Sequence, residues 1–314
     1  VWAVLSLVLV GVISKVDLMR LGVYSVPMLF LTLLALALVF LMPARNDAQR
    51  WLIIGPLTVQ PSEAFKFVMI FFLAFSLSNP GRDITNLRQL LFPYVPVIGT
   101  GLILILLEPD LGSVLVIFTT AIGVFFLAGA RLKHLLAAFV PLVGAASLLV
   151  LVLGYKKDRI LHYLAAVADP LQGGYQAKQA ALTLGAGGLF GTGLGEGRQK
   201  LFFLPYPHTD FIFAATGEEI GLLGLLFILG FLFYLLKRGL KIAYAQPDSF
   251  GFLLAAGMTM SLFISIATNI GVVTSLLPVI GLPLPFLSYG GSSLLVSSAA
   301  IGVLVNLSRR MVTS

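Results

Sequence analysis

The sequence of 314 residues contains no cysteine and few charged residues. Without cysteine, disulfide bonds, thiolate nucleophiles and thiolate-bound metals are excluded, and the redox compartment is undefined. Charged residues make up only 11% of the chain, whereas soluble proteins contain about 25%. Hydrophobic residues make up 59%. This composition indicates an integral membrane protein.

The hydrophobic residues are grouped in blocks of about 15 to 25 residues, and a helix of that length crosses a hydrocarbon core of about 30 Å. Such blocks are unlike the short alternating strands of an outer-membrane barrel. We therefore predict an all-α fold, a polytopic bundle of membrane helices. The predicted spans are 1–14, 22–42, 62–79, 92–108, 112–129, 134–154, 211–236, 250–269 and 288–307.

Lysine and arginine occur at alternate connections between these spans, which predicts that those connections face the cytoplasm and that residue 1 lies outside. The net charge of +7 is accordingly interpreted as an orientation signal, and no nucleic-acid partner is expected. Because the chain begins with Val1 inside a shortened hydrophobic block, we expect an earlier span to precede it.

The sequence divides into N-terminal transmembrane helices at 1–154, a long extracytoplasmic loop at 155–210, and C-terminal transmembrane helices at 211–314. Loops of this length are usually functional or disordered, but the stretch GGYQAKQAALTLGAGGLFG has few charges and predicts a short helix at the membrane surface. The glycine-rich stretch 184–199 lacks the spacing of a nucleotide-binding loop and indicates tight turns. The Pro-rich external segment 270–287 cannot form a straight span, so we predict that it folds back over the external face.

A carboxylate, Asp210, lies where the long loop enters a span, in the stretch PHTDFIFAATGEE. A general base at the membrane surface, next to Phe211 and Phe213, is one interpretation. The other is an N-cap formed by Thr209 or Asp210, and spacing alone favours the cap. His208, two residues earlier, is more typical of a structural histidine than of a ligand.

Glu218 and Glu219 follow Asp210 by eight and nine residues, about 12 to 14 Å deeper along a helix. Carboxylates at such a depth usually face a cavity or a cationic partner, so at least one should point into the bundle. A structural ion pair and a functional role both remain open, and the sequence does not say which glutamate faces inward.

The stretch QPSEAFKF places Glu63 and Lys66 at positions i and i+3 of another helix, which favours an ion pair. We expect this pair to share a polar cavity with Asp210, the alternative being a purely structural pair. In EPDLGS, Asp110 is predicted to cap the following span. The external cations, any of which suits either a lipid headgroup or a pyrophosphate-bearing lipid, are Arg50, Lys178, Arg198 and Lys200.

Several motifs together resemble the SEDS family, the shape, elongation, division and sporulation proteins. They are QRWL, VQPSEAFK, EPDLGS, GGYQAKQA, GTGLGEG, HTDFIFA, GEE and LPLPFLSYGGSS, and they extend over essentially the whole chain. The resemblance implies ten spans and a peptidoglycan glycosyltransferase of the bacterial cytoplasmic membrane that polymerises lipid II at the external face. Its implied partner is a class B penicillin-binding protein, a transpeptidase. The stretch before HTDF contains Phe202 and Phe203 where division-type members carry a carboxylate, which favours the elongation type, RodA.

The resemblance also implies roles for individual residues. Asp210 becomes the essential carboxylate, which reverses the preference for a cap, and Glu63 and Lys66 are associated with a central cavity. Gln179 belongs to the GGYQAKQA motif and is included among the candidate substrate-binding residues. The implied reaction inverts the anomeric carbon of a lipid-pyrophosphate donor. A divalent cation, Mg or Mn, would suit pyrophosphate departure, but no cofactor is assigned and no metal site is evident.

Two other functions fit a helix bundle with interior charges: a transporter that flips lipid II, and a non-catalytic scaffold for a penicillin-binding protein. Asp210 discriminates between them, because a base at the external surface serves chemistry and has no evident task in translocation.

Overall fold

The structure is a computed structural model, and it describes residues 1–43, 49–55, 57–82, 84–137, 144, 161, 163–165, 174–197 and 204–310. The described residues are mostly helical, as predicted. The helices are α1 (Trp2–Ile13), α2 (Leu18–Val23), α3 (Ser25–Val39), α4 (Pro61–Leu77), α5 (Leu87–Leu91), α6 (Tyr94–Leu107), α7 (Leu111–Leu127), α8 (Tyr175–Gly187), α9 (Ile212–Tyr244), α10 (Ser249–Val273) and α11 (Gly291–Arg310). An antiparallel hairpin of β1 (Leu52–Ile54) and β2 (Leu57–Val59), which the sequence did not predict, precedes α4.

Among the described residues, three helices, α9, α10 and α11, are long and apolar enough to cross a membrane, while α1, α3, α6 and α7 are shorter apolar helices. The predicted span 134–154 lies mostly outside the described residues, although 132–137 are helical. The short helix predicted in the long loop is confirmed as α8. Residues 274–290 are not helical, as predicted for the Pro-rich segment.

The described residues form two compact units. The first contains those of Val1–Leu136, Leu236–Ile264 and Gly291–Ser314, and the second contains those of Ala137–Leu235 and Ser265–Gly290.

Helix α4 lies in the core of the first unit. Pro61 begins it, where a missing N–H costs no hydrogen bond. Phe65, Met69 and Leu73 are fully buried. Gly257 on α10 packs against Ile70, and a Cβ at Gly257 would lie only 2.7 Å from that side chain. Small residues of this kind let membrane helices approach closely.

The second unit contains a break in helix α9. The predicted span 211–236 lies almost entirely within α9, but the helix is interrupted at Gly221, which has φ 70° and ψ −175° and is not helical. Three backbone hydrogen bonds of the normal helical pattern would have to span this residue, those from the amides of residues 222, 223 and 224 to the carbonyls of residues 218, 219 and 220. Without the first two of these bonds, the carbonyls of Glu218 and Glu219 and the amides of Leu222 and Leu223 need other partners, which the glycine-rich stretch supplies.

Candidate active site

Asp210 lies just before α9, at the end of the long loop. The first helical residue is Ile212, and the carbonyl of Phe211 accepts from the amide of Ala215 at 3.1 Å. Phe211 and Phe213 are buried, whereas Asp210 is half-buried. The carboxylate therefore lies between an apolar helix start and the protein surface.

The carboxylate of Asp210 lies against Gly281 of the Pro-rich segment. A Cβ at Gly281 would be 3.4 Å from Oδ2 of Asp210, and Gly281 has φ +72°, a conformation that favours glycine. A glycine here thus places no side chain of its own against the carboxylate.

Residues of the second unit also hold the backbone that carries Asp210. Asn269 Nδ2 donates to the carbonyl oxygen of Asp210 at 2.8 Å. The Ser288 hydroxyl donates to the carbonyl of Thr209 at 2.6 Å. These two donors flank the Pro-rich segment 270–287, and both bond to the HTD motif within this unit. The fold-back of the segment over the external face stays a prediction.

A third bond extends this arrangement by one residue. The amide of Tyr289 donates to the carbonyl of His208 at 2.7 Å. Three consecutive carbonyl groups, those of residues 208–210, are thus hydrogen-bonded by α10 and the segment that follows it.

Glu218 and Glu219 lie beside the break in α9, and their carbonyl oxygens are bound by the glycine-rich stretch. The amides of Thr192 and Gly193 donate to the carbonyls of Glu218 and Glu219 at 2.9 and 3.0 Å. In return, the amides of Leu222 and Leu223 donate to the carbonyls of residues 188 and 189 at 2.9 and 3.2 Å. Four intersegment bonds therefore replace the helical bonds from Leu222 to Glu218 and from Leu223 to Glu219.

The two glutamates differ in burial. Glu218 is 2% exposed, whereas Glu219 is half-buried and its Oε2 accepts from the amide of Gly195 at 3.2 Å. The inward-facing glutamate, which the sequence left undecided, is Glu218. Gly197 lies next to both carboxylates, since a Cβ there would be 3.1 Å from Oε2 of Glu218 and 3.3 Å from Oε1 of Glu219.

The first unit contains the predicted pair of Glu63 and Lys66. Lys66 Nζ lies 3.0 and 2.9 Å from the two carboxylate oxygens of Glu63. The side chain of Lys66 is 12% exposed and that of Glu63 is 5% exposed. The predicted ion pair is confirmed. Its burial raises the cost of removing either partner alone.

Asp110 caps α7, as predicted. Its Oδ1 accepts from the amide of Ser113 at 3.1 Å, and its Oδ2 accepts from the Ser113 hydroxyl at 2.8 Å and from Gln60 Nε2 at 3.1 Å. Asp110 is 2% exposed. The cap also joins α7 to the residue that precedes α4.

Arg50 and Glu108 lie beside this cap. Arg50 donates from Nε to the carbonyl of Glu108 at 2.8 Å and from Nη2 to the carbonyl of Pro109 at 2.5 Å. Glu108 follows the end of α6, is 1% exposed, and has no hydrogen-bond partner for its carboxylate among the described residues. Burial, with a further contribution from Asp110, raises the pKa of Glu108 from 4.5 to about 8, and Arg50 opposes the rise.

The remaining candidates are Lys178, Gln179, Arg198, Lys200 and His208. Lys178 and His208 are exposed, and Gln179 is half-buried. Arg198 and Lys200 lie outside the described residues. Asp210, Glu218 and Glu219 belong to the second unit and Glu63, Lys66, Arg50 and Asp110 to the first, so the shared cavity stays a prediction. Within the described part of the chain, no group of three or more histidine, aspartate or glutamate residues is placed to hold a metal ion.

Sequence reasoning missed Asn269, Gly281 and Ser288 as parts of this site. A signal was present for Asn269, because an amide inside the apolar run SIATNIGVV is costly in a membrane unless it has hydrogen-bond partners. Gly281 lies in the Pro-rich segment 270–287 and Ser288 in the LPLPFLSYGGSS motif, and neither position alone indicates a role beside Asp210.

The fold and the sequence relatives together define a class of protein. A crystal structure of the Thermus thermophilus rod shape determining protein RodA matches with a TM-score of 0.70 and 30% identity, covering 97% of this chain and 84% of that one. A structure described as "Structural coordination of polymerization and crosslinking by a peptidoglycan synthase complex" matches with a TM-score of 0.83 and 29% identity, covering 100% of this chain and 89% of that one. The protein is a multi-pass helical membrane protein.

Sequence comparison gives the family. The FtsW, RodA and SpoVE family model, described as "Cell cycle protein", matches residues 1–312. Stage V sporulation protein E of Bacillus subtilis is 45% identical over 267 residues, 84% of this chain and 72% of that protein. A probable peptidoglycan glycosyltransferase FtsW of Geobacter metallireducens is 40% identical over 314 residues, 99% of this chain and 84% of that protein. This chain belongs to the FtsW, RodA and SpoVE family, and the resemblance to SEDS proteins is confirmed.

Proposed function

We propose that this protein is a peptidoglycan glycosyltransferase that polymerises lipid II at the external face of the bacterial cytoplasmic membrane, with Asp210 as general base. The observation that carries the proposal is the position of Asp210. Its carboxylate is half-buried at the start of an apolar helix, lies over a glycine, and stands on a backbone fixed by three hydrogen bonds. Family membership supports the reaction class.

The proposed reaction is an inverting displacement. The C4 hydroxyl of the acceptor sugar attacks the anomeric carbon of the donor, and the Asp210 carboxylate takes the hydroxyl proton. A bond forms between the acceptor oxygen and the anomeric carbon, while the bond from that carbon to the lipid pyrophosphate breaks. The pyrophosphate leaves with the bonding electron pair, and the α-linked donor becomes a β-linked glycan.

The leaving pyrophosphate gathers negative charge, which nearby cations would stabilise. Lys178 is exposed in the same unit as Asp210, and we assign it this role together with Arg198 and Lys200. Arg50 is less suited to it, because its guanidinium is engaged by the carbonyls of Glu108 and Pro109. A structural role for Arg50, holding the turn before α7, agrees better with these contacts.

A class B penicillin-binding protein is the proposed partner. The peptidoglycan synthase complex matched above couples polymerization and crosslinking, according to its description. For this chain, co-purification with a co-expressed class B enzyme would support the pairing, and separate elution of the two proteins would contradict it.

The cellular process has two candidates. The phenylalanines before the HTDF motif favour elongation. A role in division or sporulation is favoured by the relatives named FtsW and stage V sporulation protein E. Fluorescent fusions discriminate between these processes, since an elongation enzyme lies along the lateral wall and a division or sporulation enzyme lies at the septum.

The direct test is glycan formation from purified lipid II in liposomes, with and without the penicillin-binding partner. Asp210→Ala and Asp210→Asn should abolish polymer formation without loss of folding. Glu196→Gln is the matched control, because Glu196 is an exposed carboxylate in the same unit, and it should retain activity.

Other results would redirect the assignment. Full activity in Asp210→Ala would remove Asp210 from the mechanism. An inactive, partner-bound wild type that moves labelled lipid II between leaflets would favour the transporter, and one that only activates the partner would favour the scaffold.

A further inference from the structure

We propose that Asn269 and Ser288 are positioning residues for Asp210. They hold the peptide groups of the HTD motif so that the carboxylate stays over Gly281. The catalytic consequence of this inference rests on the proposed function, whereas the geometric consequence at position 210 does not.

Asn269 connects two segments through one side-chain amide. Its Nδ2 donates to the carbonyl of Asp210 at 2.8 Å and to the carbonyl of Leu282 at 2.6 Å, which uses both hydrogens of the NH2 group. Rotating the amide by half a turn would set its oxygen against two carbonyl oxygens, so the orientation is fixed by the contacts. Asn269 is 1% exposed, and its Oδ1 has no partner among the described residues.

The amide of Asn269 therefore sets the distance between Asp210 and the residue that follows Gly281. Because Gly281 is a neighbour of the Asp210 carboxylate, Asn269 holds both the peptide that carries the carboxylate and a peptide beside the glycine against which it lies. Loss of this amide would leave two carbonyl groups without their donor, which is costly in a buried position.

Ser288 makes a second connection of the same kind. Its hydroxyl accepts from the amide of Leu284 at 2.7 Å and donates to the carbonyl of Thr209 at 2.6 Å. The hydroxyl thus closes its own turn and attaches that turn to the residue before Asp210. A threonine retains such a hydroxyl, whereas an alanine removes both bonds.

Positioning of this kind affects the chemical step. A general base must lie about 2.6 to 3.2 Å from the atom whose proton it takes, and a displacement of about 1 Å can reduce the rate by about 100-fold. We therefore expect Ser288→Ala and Asn269→Leu to lower kcat by about 10- to 100-fold with little change in KM, and Ser288→Thr to restore kcat.

The absence of cysteine provides a readout that does not depend on activity. Asp210→Cys introduces the single thiol of the chain, at a half-buried position. Its rate of modification by a water-soluble maleimide, measured on this 314-residue chain in detergent, reports the position and mobility of residue 210. We expect Ser288→Ala and Asn269→Leu to raise this rate several-fold, and Ser288→Thr to leave it near that of Asp210→Cys alone.

Ser275→Ala is the matched control, because it removes a hydroxyl from the same unit that has no partner among the described residues. It should change neither the thiol rate nor kcat. If Asn269→Leu does not fold, the comparison of alanine and threonine at position 288 decides the question. Unchanged thiol rates and unchanged kcat in the folded variants would overturn the inference, as would a fall in thermal stability alone.

The two proposals fail in different ways. Altered thiol rates together with full polymer formation by Asp210→Ala would leave the positioning geometry standing and remove the proposed function. Loss of polymer formation in Asp210→Ala, with no effect of either positioning variant on the thiol rate or kcat, would support the proposed function and overturn the positioning inference.

Discussion

Gly191 lies so close to the carbonyl group of Glu219 that a Cβ on Gly191 would overlap the carbonyl oxygen. Gly191 also has φ +81°, which disfavours any residue with a side chain. The close approach brings the amides of the next two residues, Thr192 and Gly193, to the carbonyls freed by the break in α9. The glycine is therefore a condition for the break to be tolerated at membrane depth.

Gly191→Ala should destabilise the protein by about 2 to 4 kcal/mol, because it combines an unfavourable φ with overlap against backbone atoms. Thermal unfolding in detergent measures the change. Gly195→Ala separates the two effects, since Gly195 has φ +86° but open space around its Cβ position, and it should cost about 1 to 2 kcal/mol. Equal losses for the two variants would show that the contact with Glu219 is unimportant.

Local chemistry explains which features the sequence could predict. Hydrophobic blocks identified most helices, EPDLGS identified the cap by Asp110, and the spacing of Glu63 and Lys66 identified their ion pair. Each of these depends on residues within a few positions of one another. The pattern that predicts them is therefore visible in a short window.

The missed features depend on contacts between distant parts of the chain. A glycine such as Gly221 inside an apolar run is ordinarily tolerated in a helix, and its break here depends on bonds to residues about thirty positions earlier. Asn269 and Ser288 likewise act on residues 210 and 209, some sixty to eighty positions away. The periodicity of the sequence carries no information about these distant hydrogen-bond partners. A polar side chain in an apolar run shows only that it requires some hydrogen-bond partner.

Asp110→Ala should destabilise the protein by about 1 to 2 kcal/mol, because it removes the cap of α7 and the acceptor for Gln60. Asp110→Asn retains an acceptor for the Ser113 amide and should cost less. Thermal unfolding ranks the wild type, Asp110→Asn and Asp110→Ala by stability, and lipid II polymerisation compares the activity of the same three proteins. A folded Asp110→Asn variant without activity would assign Asp110 a role beyond capping, whereas parallel changes in stability and activity would agree with the cap alone.

Lys66→Met should destabilise the protein by about 3 to 5 kcal/mol, since it leaves the carboxylate of Glu63 buried without its cationic partner. The double variant Glu63→Gln, Lys66→Met removes both charges and should recover most of that loss. Chemical or thermal unfolding of the four proteins of this cycle gives the coupling energy. Recovery of stability without recovery of polymerisation would support the proposed cavity role, and recovery of both would show that the pair is structural.

The stability of the protein should depend on pH through Glu108. Its pKa is about 8 in the folded protein and near 4.5 when exposed, so folding favours the protonated carboxyl. This stabilising contribution is fully present below about pH 4.5 and is lost as the pH rises toward 8. Glu108→Gln is neutral throughout, so its unfolding temperature should rise relative to that of the wild type as the pH increases from about 5 to 8.

Glu196→Gln is the matched control for this measurement, because it removes an exposed carboxylate. The difference between its unfolding temperature and that of the wild type should stay constant over the same pH range. If the unfolding temperature of Glu108→Gln also differed from that of the wild type by a constant amount, Glu108 would be ionised in the folded protein near pH 5. The carboxylate would then need a donor beyond the described residues, since the side chain of Arg50 already donates to the carbonyls of Glu108 and Pro109. If the unfolding temperature of Glu108→Gln instead rose relative to that of the wild type as the pH increased, Glu108 would be a neutral, buried carboxyl group beside the cap of α7.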